Sequence, residues 1–110
     1  MASKTIRVTM FKIPSKDNQQ KLLSLYKTLS QTAQKDGKPY ILSLEAGPAH
    51  DDVRSQGYTL IAKSEFKTLE DMKFYDGECE AHKVLKAGAK TLGVEGIMTV
   101  YFNPEVSVGV

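Results

Sequence analysis

The sequence predicts one α+β domain over residues 1–110, with a ferredoxin-like βαββαβ order and helices on one face of an antiparallel four-stranded sheet. Three observations lead to this fold class. The 110 residues are enough for a single core. Along the chain, stretches with apolar residues at every second position alternate with stretches whose apolar residues are spaced as in a helix. Glycine, proline and capping residues separate these stretches.

The first predicted strand runs from Thr5 to Ile13 and is apolar on both faces, which indicates cover on both sides. Pro14 and Ser15 end it, and Ser15 is a natural N-cap for a helix. That helix carries one apolar stripe, formed by Leu22, Leu25, Tyr26 and Leu29. Gly37 and Pro39 are predicted to stop it.

Two further strands follow in the middle of the chain. The second strand is predicted from Pro39 to Gly47, with Tyr40, Leu42, Leu44 and Ala46 in step. The third is predicted from Gly57 to Lys67 with a period of two. One of its faces carries Tyr58, Leu60, Ala62, Ser64 and Phe66.

The loop between these strands, Ala49 to Gln56, collects side chains that can bind a cation. They are His50, Asp51, Asp52 and Arg54. Hard cations need several converging oxygens, which adjacency in sequence rarely supplies. A solvated turn is therefore the expectation, and a metal site the less favoured alternative.

A second helical region is predicted after the third strand. Thr68 to Asp71 has the form of a capping box and starts a short helical turn. Asp76 is predicted to cap the next helix, which runs to about Leu92 and closes at Gly93.

The last strand, Gly96 to Phe102, is again apolar on both faces. Helices cover only one side of the sheet, so the other side would expose a continuous apolar patch on a monomer. The patch consists of Ile6, Val8, Met10, Met98, Val100 and Phe102. We expect a second copy of the chain to cover it, giving a two-fold dimer whose sheets form a barrel. The valines of the tail, Glu105 to Val110, alternate and can lie along a neighbouring strand.

Composition argues against several classes of function. Fifteen basic and thirteen acidic side chains give a formal net charge of +2, and the lysines are scattered, so no nucleic-acid partner is expected. No stretch approaches the roughly 20 apolar residues of a membrane span, and no signal peptide is recognised. A single cysteine, Cys79, excludes an internal disulfide and a cysteine-rich zinc site. We expect a cytoplasmic protein with no membrane partner and no cofactor, since nucleotide-binding glycine loops are missing too.

His82 is the best indication of chemistry in the chain. The spacing of His82, Leu85, Ala89 and Leu92 follows the helical period, so the imidazole should point inward with an apolar stripe. Two interpretations stay open. His82 is either a base that faces a pocket or a neutral histidine that is hydrogen-bonded in a filled core, and on these residues alone the second is the commoner case.

Over most of its length the chain resembles the stress-responsive A/B barrel (Dabb) family, a branch of the dimeric α+β barrel proteins. Four segments carry the resemblance in the family's order: the strand Arg7 to Ile13, the Gly57-Tyr58-Thr59 start of a strand, the segment Leu69 to His82, and the closing Val100-Tyr101-Phe102-Asn103-Pro104. The resemblance implies a ferredoxin-like protomer and a homodimer. It implies less about chemistry, because a fold hosts many functions.

A more distant similarity concerns one member type of the family, olivetolic acid cyclase, which closes a linear polyketide by an aldol condensation without a cofactor. It implies a pocket between sheet and helices, with the catalytic histidine at His82 and the nearest tyrosine at Tyr75. Tyr26 resembles a pocket-lining position. In such a pair a neutral imidazole takes a proton beside a carbonyl, while a phenol donates a hydrogen bond to the oxygen that becomes negative.

The chain departs from that enzyme at several positions. No first histidine of a His-x-x-His arrangement precedes His82, and the step from Tyr75 is one residue longer. Arg7 stands where the enzyme has another histidine. Its guanidinium can bind an acidic substrate, or form an ion pair with Glu80 or Glu95. The cyclase's specificity is therefore not carried over.

Two functions from different classes remain open. The first is a cofactor-independent enzyme or binder for a carbonyl metabolite, with His82 as base and Tyr75 or Tyr26 as hydrogen-bond donor. Its expected substrate-binding residues are Arg7, Thr9, Phe11, Tyr26, Leu60, Ala62, Ser64, Cys79, Ile97 and Thr99. The second is a non-catalytic stress-induced structural or ligand-binding barrel. The enzyme requires an enclosed cavity of roughly 300 Å³ or more, with His82 and a tyrosine hydroxyl on its wall.

Overall fold

The computed structural model describes residues 4–109. Its elements are β1 (Thr5–Lys12), α1 (Lys16–Thr32), β2 (Ile41–Pro48), a 3₁₀ turn (Val53–Ser55), β3 (Leu60–Phe66), α2 (Leu69–Gly77), α3 (Glu80–Ala89) and β4 (Gly96–Phe102). The strands form one antiparallel sheet in the order β2-β3-β1-β4, and the helices pack on one face of it. The predicted ferredoxin-like βαββαβ layout is thereby confirmed.

The start of α1 is as predicted, but its end is not. The Ser15 side chain accepts a hydrogen bond from the Asn18 backbone N–H at 3.2 Å. The helix then ends at Thr32, five residues before the glycine that was expected to stop it. Asp36 and Gly37 instead form a tight turn in which both have positive φ, +52° and +78°. An Asp-Gly pair favours this left-handed turn, and the two residues that flank it exchange backbone hydrogen bonds.

The second strand contains an irregularity that its sequence pattern does not reveal. The register shifts between Ile41 and Ser43, where a β-bulge interrupts the pairing with β3. The bulge turns Leu42 outward, and this side chain is 56% exposed. The predicted alternation of Leu42 with Leu44 is therefore wrong.

In the loop after β2, Asp52 forms local contacts with Arg54. Its carboxylate accepts from the Arg54 backbone N–H and from two guanidinium nitrogens, Nε at 2.9 Å and Nη2 at 2.8 Å. Within residues 4–109, three or more metal-ligating side chains nowhere gather into a group that could hold an ion.

Of the two helix caps predicted between β3 and β4, one is confirmed and the other is wrong. Thr68 Oγ1 accepts from the Asp71 backbone N–H at 3.1 Å, as the capping box predicts. Asp76, however, lies inside α2, and α3 begins after Cys79, whose side chain makes no capping hydrogen bond. The end of α3 at Ala89 is also three residues earlier than predicted.

The inward stripe of α3 is confirmed. His82, Leu85 and Ala89 are buried in the helix, and Leu92 is buried just after its end. The helix approaches α1 closely at Gly88, where an added Cβ would lie 2.8 Å from Leu25 Cδ1. This close approach fixes α3, and His82 with it, against the rest of the core.

The face opposite the helices is apolar over β1 and β4. We call the apolar sheet face the set Val8, Met10, Met98, Val100 and Phe102. Its β4 members are between 42% and 49% exposed. Ile6, which was expected to belong to it, is only 7% exposed, because Glu65 and Phe102 flank it on the paired strands.

Val106 and Val108 of the tail are exposed, and neither lies in a strand. The expected strand pairing of the tail is therefore not found in the described residues, and Val110 lies outside them. None of the described helices combines the length and the hydropathy that crossing a membrane requires.

Candidate functional site

A cavity of about 710 Å³ lies between the sheet and helices α1 and α3. The expected site residues on its wall are Arg7, Thr9, Phe11, Tyr26, His82, Ile97 and Thr99. It exceeds the volume that the enzyme interpretation requires. It differs from the expectation in being open to solvent, because exposed residues at the end of α3 and the start of β4 form its rim.

The uncovered edge of the sheet explains where the cavity lies. Ile97 and Tyr101 project from β4 toward the helix side, yet they are 58% and 53% exposed. The helices therefore leave this edge open, and the space beside it becomes the cavity.

His82 is the titratable group at the centre of the wall. Its Nδ1 lies 2.8 Å from the backbone carbonyl oxygen of Tyr75. A carbonyl only accepts, so Nδ1 carries the proton in the neutral ring and donates it, which leaves Nε2 as an acceptor. The ring also stacks on the Tyr75 ring at a centroid distance of 3.8 Å. Helix position, hydrogen bond and stacking together fix its orientation.

Burial keeps His82 uncharged. Desolvation, together with the positive charges of Arg7 and Lys86, lowers the pKa of His82 to about 4, although the hydrogen bond to Tyr75 opposes the shift. At neutral pH the ring is therefore an acceptor at Nε2. Such a ring can take a proton from a group held in the cavity.

The tyrosine on the cavity wall is Tyr26. Tyr75, the other candidate, is only 1% exposed and does not line the cavity. Its ring instead stacks on the imidazole of His82, across the break between α2 and α3. Burial raises the pKa of Tyr26 to about 12, against an opposing effect of Arg7, so its hydroxyl stays a hydrogen-bond donor. Burial raises the pKa of Tyr75 as well.

Arg7 is a buried cation on the floor of the cavity. Its Nη2 lies 2.9 Å from Asp76 Oδ1, and its Nη1 donates to Thr9 Oγ1 at 2.8 Å. The Thr9 hydroxyl in turn lies 2.9 Å from that of Thr99. Arg7 thus pairs with an aspartate of α2, and neither of the two glutamates proposed from the sequence is its partner. Its Nε is buried and has no hydrogen-bond partner among the described residues.

Four expected substrate-binding residues lie away from the cavity wall: Leu60, Ala62, Ser64 and Cys79. All are buried. The first three lie on β3, which is separated from the cavity by β1. Cys79 is the N-cap of α3 and is a free, buried thiol. These positions belong to the core, and this corrects the expectation that they face the site.

The sequence reasoning missed Leu85, Lys86, Ala89, Lys90, Val94, Glu95 and Gly96, which also line the cavity. A signal for the two lysines is present in the sequence. Lys86 and Lys90 follow His82 at intervals of four, so one helical face carries all three. Lys86 Nζ also donates to the Asp76 carbonyl oxygen at 2.8 Å.

Comparison with known proteins gives a consistent result. A family model described as Stress Responsive A/B Barrel Domain matches residues 6–101. A Fusaristatin A biosynthesis cluster protein from Gibberella zeae is 43% identical over 109 residues, which cover 99% of this chain and 79% of that protein.

Solved structures extend the comparison at much lower identity. A hydroxynitrile lyase from Passiflora edulis has a TM-score of 0.77 at 12% identity and covers 99% of this chain and 100% of its own. A dimeric ferredoxin-like protein of unknown function from Jannaschia sp. CCS1 has a TM-score of 0.70 at 15% identity. The match covers 92% of this chain and 99% of that protein. A cofactor-independent oxygenase from Streptomyces nogalater has a TM-score of 0.71 at 6% identity. The match covers 97% of this chain and 98% of that protein. At these identities the likeness shows the shared fold.

Proposed function

This chain belongs to the Stress Responsive A/B Barrel Domain family, and from that premise we propose that it is a cofactor-independent enzyme that removes a proton beside a carbonyl group. The base is His82. The single observation that carries the proposal is the neutral imidazole on the wall of a large cavity, held at Nδ1 by the Tyr75 carbonyl so that Nε2 is left to accept a proton.

The proposed reaction is an aldol-type closure of one molecule. His82 Nε2 takes a proton from the carbon next to a carbonyl, and the C–H electron pair forms an enolate. The Tyr26 hydroxyl donates a hydrogen bond to the enolate oxygen. The enolate carbon then attacks a second carbonyl carbon of the same molecule, a C–C bond forms, and the imidazolium returns its proton to the new alkoxide.

Similar proteins support an enzymatic role of this general kind. Among proteins with the same fold are a hydroxynitrile lyase and a cofactor-independent oxygenase. The curated relative is described as part of a Fusaristatin A biosynthesis cluster. By that analogy, the carbonyl compound in our proposal is a metabolite of a small-molecule biosynthetic route, of the polyketide type that the sequence resemblance implies.

The proposal includes a cytoplasmic homodimer. Fold relatives are described as dimeric, and the apolar sheet face offers a surface that a second copy can cover. The cavity lies on the opposite side of the sheet, so pairing leaves it on the outer flank of each protomer. A fluorescent fusion in cells would test the location.

One observation favours a second function, a barrel that binds a ligand without turnover. A histidine with a pKa of about 4 is a weak base, because proton transfer is best served by a pKa near the working pH. In that case the cavity holds a metabolite and His82 accepts a hydrogen bond from it.

Deuterium exchange separates the two functions. Aryl methyl ketones in heavy water lose their methyl proton signal as a base exchanges the protons, and proton NMR follows the rate. We expect the protein to accelerate this exchange and His82→Asn to abolish the acceleration. Asparagine keeps a donor near Nδ1 and removes Nε2. The matched control is His50→Asn, which changes the other histidine, in an exposed loop. If the wild-type protein bound these ketones without accelerating exchange, the enzymatic function would be rejected and the ligand-binding function retained.

A further inference from the structure

We infer that the substrate of this cavity carries a carboxylate, which lies beside Arg7, Lys86 and Lys90. This inference deepens the proposed function and rests on it. It concerns the charge on the wall of the cavity and two lysines that the proposed reaction does not use.

The wall of the cavity carries an excess of positive charge. Arg7 contributes positive charge from β1, Lys86 from α3, and Lys90 from the C-cap position just after that helix. Glu95 is the one acidic side chain among the lining residues of the described chain. Arg7 is buried and acts through a less polar medium than water, whereas the two lysines are exposed at the rim, and all three attract an oppositely charged guest.

The buried guanidinium has hydrogen-bonding capacity left over. Arg7 is 8% exposed, and its two terminal nitrogens are engaged with Asp76 and Thr9. The Asp76 side chain is 39% exposed, so water screens its charge. The carboxylate therefore compensates the positive charge of Arg7 only in part. The Arg7 Nε has no partner at all among the described residues. A second carboxylate near this group would supply the missing compensation.

The neighbouring wall indicates what else the molecule carries. Thr9 and Thr99 hold their hydroxyl groups 2.9 Å apart next to Arg7, and a hydroxyl can donate to a carboxylate oxygen. Phe11, Leu85 and Ile97 make other parts of the wall apolar. An organic acid with an apolar body fits both kinds of surface.

The same charges act on His82. The charged and titratable groups on the elements around it are Arg7 from β1, Tyr26 from α1, Tyr75 and Asp76 from α2, Lys86 and Lys90 from α3, and Glu95 before β4. Arg7 and Lys86 disfavour the protonated imidazole, whereas Asp76 favours it. A bound carboxylate adds a negative charge near both cations and offsets their effect. The carboxylate therefore opposes the part of the pKa depression of His82 that Arg7 and Lys86 cause, whereas burial, the larger cause, still acts.

Two matched probes test the inference, 4-pentylbenzoate and 4-pentylbenzamide, which differ chiefly in charge. Calorimetry should give tighter binding of the benzoate. Lys86→Gln combined with Lys90→Gln should weaken the benzoate about fivefold and leave the benzamide unchanged. The control pair is Lys73→Gln with Lys83→Gln, which removes the same charge from exposed positions off the cavity wall. It should leave both affinities as they are.

NMR titration of the imidazole signals reports the effect on the base. The chain has two histidines, so the His82→Asn variant identifies which signals belong to His82. Saturating benzoate should raise the pKa of His82. Equal affinity for the two probes, no binding of either, or an unchanged His82 titration would each overturn the inference. The proposed function is decided separately, by deuterium exchange.

Discussion

At the scale of single residues, the site depends on how His82 is supported. The Tyr75 ring and carbonyl fix the imidazole, and Tyr26 provides the hydroxyl on the cavity wall. The helical period was enough to predict that His82 points inward. The choice between the two tyrosines could not be made from the sequence, because it depends on which ring stacks on His82 and which tyrosine reaches the cavity, and both are contacts between different elements.

The two tyrosines should respond differently to loss of the hydroxyl. Tyr26→Phe removes the donor to the enolate oxygen, so we expect turnover of a ketone substrate to fall about 100-fold with little change in stability. Tyr75→Phe keeps the stacking ring and should change turnover by less than about threefold. Steady-state kinetics of both variants checks this. Equal losses would show that Tyr26 has no special part in the reaction.

The environment of His82 also makes stability depend on pH. Its pKa is about 4 in the folded chain and 6.5 in the unfolded one, so between these values the unfolded state binds more protons. The stabilisation is complete above pH 6.5 and decreases as the pH falls toward 4. We expect the free energy of unfolding to drop by about 2 kcal/mol from this group. Urea unfolding at pH 7 and pH 5 measures the change, and His82→Asn should show a smaller drop than wild type.

At the scale of elements, local signals predicted helix starts better than helix ends. Ser15 and Thr68 cap their helices through side-chain hydrogen bonds, as their positions before apolar runs indicate. Asp76 looked like a cap by the same criterion. Its carboxylate is instead engaged by Arg7, which lies 69 positions earlier in the chain. A contact over such a distance leaves no trace in a local pattern.

The Thr68 cap can be tested directly. Thr68→Ala removes the acceptor for the Asp71 backbone N–H and should lower the free energy of unfolding by about 1 kcal/mol. Thr68→Ser keeps a hydroxyl and should lose only part of that. Urea unfolding monitored by circular dichroism gives both values. If the Thr68→Ala variant were as stable as the wild-type protein, the hydrogen bond would contribute nothing to the stability of the helix.

At the scale of the whole molecule, the order of strands and helices followed from the alternation of periodicities, and the uncovered apolar side of the sheet was predicted with it. The cavity was harder to foresee. It depends on how far α3 reaches over β4, and its rim contains Lys86 and Lys90, two charged residues that look like ordinary surface residues in the sequence.

The proposed dimer leads to a mutational prediction. Val100→Asp places a charge in the middle of the apolar sheet face, once in each protomer. We expect the dimer dissociation constant to rise about 100-fold or more, from the cost of desolvating the two carboxylates. The control is Val84→Asp, at a position 65% exposed on α3, which should leave the assembly intact. Light scattering should give twice the 12.2 kDa chain mass for the control and the single mass for dilute Val100→Asp.

Strand β4 belongs to both surfaces at once. Ile97 and Thr99 line the cavity, whereas Met98 and Val100, between and after them, point to the other side. Because successive side chains of β4 contact the cavity and the opposite face of the sheet in turn, a shift of the strand on one side also displaces side chains on the other. By linkage, the factor by which a bound guest changes the pairing constant of the subunits equals the factor by which pairing changes the affinity for the guest.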